Sequence, residues 1–126
     1  MVEINNLTRF KFDKKRLEIL VGKVLSKEKR NKTELLIAFV KPDQIRKLNK
    51  KYRKKNTATD VLSFMFEGSG EIILCPAVIK RNAKDLSENF KKELERVLIH
   101  GILHVLGYDH EKKDDKMMNK QEYYLF

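Results

Sequence analysis

The residues of this chain best suited to chemistry are its three histidines, all within the run His100-Gly-Ile-Leu-His104-Val-Leu-Gly107-Tyr-Asp-His110. His100 and His104 are four apart, which on an α-helix stacks them on one face with Cβ atoms about 5–6 Å apart. Two imidazoles so placed reach one divalent metal at about 2.0–2.1 Å. Gly107 stands where such a helix would end, and a glycine there adopts the left-handed conformation without a Cβ clash. The chain can then double back and offer His110 as a third ligand. Three histidines leave a tetrahedral ion one open position, the arrangement of a catalytic rather than a structural site. The competing reading, a purely structural histidine cluster, must accommodate two imidazoles in the apolar run from Val97 to Leu106, where unpaired polar groups are costly.

The same spacing occurs in metzincin peptidases, which carry a glutamate directly after the first histidine as general base. This chain has Gly101 there. Peptide hydrolysis then lacks its usual base, whereas a metal can still polarise a phosphoryl oxygen. The departure lowers the protease reading and keeps phosphodiester chemistry open.

The elements that must position these residues are legible in outline. Ser87 is a suitable N-cap for a long helix from Glu88 to Leu106, amphipathic at first (Phe90, Leu94, Val97) and then apolar almost all round. After the turn at His110, Lys113 to Leu125 forms a last helix packing Met117, Met118, Gln121 and Tyr124. Upstream, Val2 to Asn5 reads as a short edge strand. Asp13 caps a helix running to about Arg30 on Leu17, Leu20, Val21, Val24 and Leu25. The apolar run from Leu35 to Val40 is a buried strand. Pro42 opens a second helix whose buried stripe is Ile45, Leu48 and Tyr52. Arg46, Lys47, Lys50, Lys51, Arg53, Lys54 and Lys55 crowd its other face and the loop beyond, either a phosphate-attracting patch or a solvated face. Asn56 to Asp60 is a turn. Val61 to Phe66 and Glu71 to Cys75 are strands joined through Gly68-Ser-Gly70, plausible as a hairpin. Pro76 opens a third helix to about Lys84.

The whole-chain bounds agree with one small domain, residues 1–126. Charged residues make up 37% of the chain and the formal net charge is +10, which favours a polyanionic partner, nucleic acid above all. A lysine-rich solvated surface is the competing explanation. Cys75, the single cysteine, excludes an intrachain disulfide and reads as a small buried core residue. No signal peptide or bilayer-spanning run is apparent, so a soluble cytoplasmic protein is expected.

The run from His100 to His110 resembles the signature of the YbeY family of bacterial endoribonucleases and ribosomal-RNA maturation factors. Asn49-x-x-Tyr52-Arg53, Thr59-Asp-Val-Leu-Ser-Phe64 and Gly70-Glu-Ile72 agree with it, and the resemblance covers nearly the whole chain. It departs at Ala58 and Met65, where the family usually has proline, and at Asn56 and Glu71, where aspartate is usual. The resemblance implies an α+β fold, a four-stranded mixed sheet with about five helices and a metzincin-like metal-site helix. It further implies a zinc ion on His100, His104 and His110, and RNA hydrolysis in a cleft lined by Arg53. On this reading Arg53 and His110 serve catalysis, and the partners are ribosomal RNA and the small subunit or its assembly factors. An arginine fork that pairs with two phosphate oxygens suits that role, and the lesser alternative is that Arg53 is one more surface cation. Asp60 and Asp109 are candidates to orient a ligand histidine or Arg53, or are turn residues. Tyr108 receives no role. A small metalloprotease and a non-catalytic RNA-binding factor remain the alternatives.

Overall fold

The computed structural model describes residues 2–108 and 116–125. Strand β1 (Val2–Asn6) leads to α1 (Lys14–Lys27), β2 (Glu34–Phe39) and α2 (Pro42–Arg53). A hairpin of β3 (Val61–Phe66) and β4 (Ser69–Leu74) follows, then α3 (Pro76–Asp85), α4 (Phe90–Val105) and α5 (Lys116–Leu125). The strands form one sheet in the order β1-β2-β4-β3, parallel across β1/β2 and β2/β4 and antiparallel across β3/β4. This is the α+β architecture expected, a four-stranded mixed sheet with five helices among the described residues. Gly68, at φ 74°, supplies the left-handed residue of the tight β3–β4 turn.

The period-two pattern of the strands divides the core between the two faces of the sheet. Leu35, Ile37, Phe39, Ile72 and Leu74 face α1, α4 and α5, joining Val21, Leu98, Ile99, Ile102 and Tyr124 in the main cluster. Leu62, Ile73 and Cys75 join Ile45 of α2 and Val78 of α3 in a second cluster on the other side. β4 is therefore covered on both faces, which its unbroken apolar run from Ile72 to Leu74 requires. Cys75 is fully buried, and burial pushes its thiol pKa up, as befits a core residue.

Two glycines allow α4 to lie close against the sheet. A Cβ on Gly70 of β4 would stand 2.3 Å from Val105 Cγ1, and one on Gly101 of α4 would stand 2.8 Å from Ile72 Cγ2 and 3.2 Å from Ser63 Oγ. Side chains at either position would hold helix and sheet apart. The seam is closed by Ser63 Oγ, which donates to the Gly101 carbonyl at 3.3 Å.

Two expectations need correction. The α4 N-cap is Asn89, not Ser87: Asn89 Oδ1 accepts from the Lys92 amide at 3.2 Å. Ser87 instead sits at φ 53° in the α3–α4 turn, with its amide donating to the Lys84 carbonyl, so helix α4 starts at Phe90. Tyr52 is not part of a buried stripe, being 52% exposed; Ile45 and Asn49 are the buried residues of α2. The cause is topology. The C-terminal end of α2 overhangs edge strand β3, where Phe64 meets the Tyr52 ring edge-on at 5.4 Å and leaves much of it in solvent. Asn49 has the inward place because its Nδ2 donates to the Thr57 carbonyl at 2.9 Å, tying α2 to the loop before β3.

Candidate active site

Helix α4 carries His100 and His104 one turn apart, as their spacing predicts, with ring centroids 4.5 Å apart and Nε2 atoms 3.0 Å apart. Gly107 follows at φ 101°, and its amide closes the helix on the His104 carbonyl at 3.0 Å. The left-handed glycine expected after the second histidine is thus in place. The third histidine, His110, lies outside the described residues, and so does Asp109.

The chemistry of this donor set fits a divalent cation. His100 Nδ1 lies 3.0 Å from Gln121 Oε1 on α5. An amide oxygen only accepts, so this contact favours the tautomer with the proton on Nδ1 and the lone pair on Nε2. Two Nε2 atoms facing each other at 3.0 Å need a cation or a proton between them. Nitrogen ligands at about 2.0–2.1 Å from a tetrahedral ion stand roughly 3.3 Å apart, close to that separation.

Arg53 reaches the same cleft from the end of α2. A cavity of about 620 Å³ is lined by Arg53, Val61, Ser63, Met65, His100, His104 and Tyr108, among others. Arg53 Nη2 donates to the Ser63 carbonyl at 2.8 Å, and the guanidinium carbon lies 5.3 Å from the Phe64 ring centre. These two contacts orient the planar fork at the rim of β3, and among the described residues its other N–H groups are left for a ligand to use. Lys54, with φ 59°, caps α2 in the left-handed conformation, its amide bonded to the Asn49 carbonyl, and so turns the chain away directly after Arg53.

The remaining sequence candidates behave differently. Asp60 accepts from Thr59 Oγ1 through its carboxylate and from the Cys75 amide through its carbonyl, the bonding of a turn residue. Asn56 Oδ1 accepts from Arg46 Nη1 at 2.9 Å, so one cation of the basic run holds the loop in shape. Tyr108 directs its hydroxyl to Glu28 Oε1 at 2.6 Å, toward the end of α1. Glu28 also accepts from Lys120 Nζ at 2.8 Å and Tyr124 OH at 2.5 Å. The sequence reading missed this cluster, as it missed the His100–Gln121 bond. Glu28 and Tyr108 are 80 positions apart, and no local pattern links them.

A family model described as Endoribonuclease YbeY matches residues 3–126. The chain belongs to the YbeY family. It is 44% identical over 95 residues to the Endoribonuclease YbeY of Thermotoga petrophila, a match spanning 71% of this chain and 63% of that protein. It is 46% identical over 100 residues to that of Bdellovibrio bacteriovorus, spanning 77% and 66%. The Endoribonuclease YbeY of Aquifex aeolicus is 34% identical over 128 residues, spanning 94% of this chain and 85% of the relative. A Thermotoga maritima protein solved in solution superposes with a TM-score of 0.73 at 37% identity, covering 99% of this chain and 87% of that one. The YbeY fold is therefore matched along the chain, although some relatives extend well beyond the matched stretch.

The packing supplies a physical reason for Gly101 in this chain. The position that bears the catalytic glutamate in metzincins is, in this chain, pressed against Ile72 and Ser63. No carboxylate side chain fits there without moving α4 off the sheet.

Proposed function

We propose that this chain is a metal-dependent endoribonuclease that prefers single strands. We further propose that it acts in the cytoplasm in maturation of small-subunit ribosomal RNA and in ribosome quality control, with ribosomal RNA and the small subunit or its assembly factors as partners. The observation that carries the reading is the convergence of Arg53 with His100 and His104 in one cleft. Family membership supports it independently.

In this mechanism Arg53 grips the scissile phosphate. Its fork pairs with two phosphoryl oxygens and stabilises the charge that builds on them in the transition state. The Ser63 carbonyl and the Phe64 ring hold that fork in place before substrate arrives, so little ordering remains at the moment of reaction. The lysines of α2 and the loop beyond draw the strand to the cleft. His100 and His104, with His110 as third ligand, would hold a divalent ion, zinc in the first instance, which when bound would supply Lewis-acid chemistry at the phosphoryl group. Either water or the neighbouring 2′-hydroxyl attacks, and the product ends decide: a 2′,3′-cyclic phosphate rules out direct water attack.

The test is cleavage of a single-stranded RNA by wild type, Arg53→Ala and His104→Ala, each shown to be folded and prepared with zinc, with activity tracked across the protein peak. An unstructured polypeptide is offered alongside. Loss of about 10²-fold or more in both variants is the expected result for groups that stabilise transition-state charge. Equal cleavage by all three would assign the activity to a contaminant and leave a non-catalytic RNA-binding factor as the better reading. Cleavage of the polypeptide would revive a peptidase.

A further inference from the structure

Helix α5 makes contacts that packing alone does not demand. Gln121, only 5% exposed, accepts from His100 Nδ1 at 3.0 Å. The residue before it and the residue three beyond are both tied to the end of α1, since Lys120 Nζ and Tyr124 OH donate to Glu28 Oε2. Tyr108, just past the end of α4, donates to the other oxygen of the same carboxylate. Glu28 thus joins the end of α1, the turn after α4 and the helix that carries Gln121.

We propose that Gln121 is a positioning residue of the histidine site. It acts through His100, selecting the Nδ1–H tautomer and aiming the Nε2 lone pair at His104, while Glu28 braces α5 so that the amide stays in reach. The proposal rests on the reading of His100 and His104 as metal ligands. A hydrogen bond to the far nitrogen of a ligand histidine fixes ring orientation and tautomer, and its loss typically lowers metal affinity about 10–100-fold. A neutral amide serves here where a carboxylate or backbone carbonyl often does.

The test begins on metal-free protein labelled with ¹⁵N-histidine, in which two-bond ring correlations report the His100 tautomer. Zinc affinity is then measured by competition with a chromophoric chelator. Wild type is expected to show the Nδ1–H form. Gln121→Leu is expected to show mixed tautomers and about 10–100-fold weaker zinc binding. Gln121→Glu, which keeps an acceptor oxygen at the same reach, retains tautomer and affinity, and Asn119→Ala, at an exposed position of the same helix, changes neither. If Gln121→Leu does not fold, Gln121→Asn, whose oxygen is withdrawn by one methylene, carries the same expectation. Unchanged tautomer and affinity in either folded variant would overturn the proposal. A wild type with the Nδ1–H tautomer but no zinc binding would overturn the metal reading, and the ring signals tell that failure from the first.

Discussion

A methyl group added at position 101 would meet Ile72 Cγ2 at 2.8 Å and Ser63 Oγ at 3.2 Å, and neither atom is the far end of a long flexible chain. Alanine in place of glycine in a helix interior normally gains about 0.5–1 kcal/mol. Overpacking a close seam costs about 1–3 kcal/mol, so the clash should outweigh the gain. Gly101→Ala is therefore expected to be destabilised by about 1 kcal/mol net, read from the urea midpoint at constant slope. A stabilised variant would refute the close-approach argument. Restoring the metzincin glutamate as Gly101→Glu should unfold or loosen α4 rather than create a peptidase, which intact unstructured polypeptide after incubation would verify. Arg53 is governed at this same scale, since its bond to Ser63 and its contact with Phe64 decide where the fork stands.

Among elements, the joint between α1, α4 and α5 is electrostatic and depends on pH. Burial raises the Glu28 pKa, but the bonds from Lys120, Tyr108 and Tyr124 outweigh it and the net shift is downward. The same contacts raise the partners: the Glu28 bond lifts Lys120 and Tyr108, while burial and then the Glu28 bond lift Tyr124. A depressed carboxylate stabilises the fold fully above its unfolded value and loses that contribution as pH falls through the folded one. Raised lysine and tyrosine groups contribute fully below their unfolded values and lose the contribution as pH rises through the folded ones. The stability difference between wild type and Glu28→Gln should therefore be widest between about pH 5 and 9, inside the ordinary carboxylate and phenol values. Thermal unfolding across pH checks it, and a difference that does not vary with pH would contradict the assignment.

Over the whole molecule the excess of positive charge acts at long range. The net charge is +10, and Lys50 and Lys51 stand exposed near the end of α2 that delivers Arg53. If that surface tracks a single strand, each phosphate contact contributes about −0.7 to the slope of log affinity against log salt. Lys50→Gln/Lys51→Gln is expected to flatten the slope by roughly 1 to 1.5 while leaving stability unchanged. A slope equal to that of wild type would mark those lysines as ordinary solvated charge. Among the described residues no helix is long and apolar enough to cross a membrane.

What the sequence determined by itself is what short-range geometry dictates. The i, i+4 spacing of His100 and His104 needs only a helix to stack them, and Gly107 needs only that helix to end. Apolar runs and turn residues located the strands, the β3–β4 hairpin and the burial of Cys75 for the same local reasons. The signature blocks resembled one family strongly enough to imply the mixed sheet. Other features depend on which elements meet, and the tertiary structure alone decided those. Tyr52 is exposed because α2 ends over an edge strand, although its spacing from Ile45 suits a buried stripe. Asn89 outcompetes Ser87 as cap because the α3–α4 turn takes Ser87 for a left-handed position. Gln121 meets His100 across 21 positions, and Glu28 meets Tyr124 across 96. Such pairs leave no periodic trace in the chain, because the packing of helices against the sheet brings them together and not the distance along the backbone.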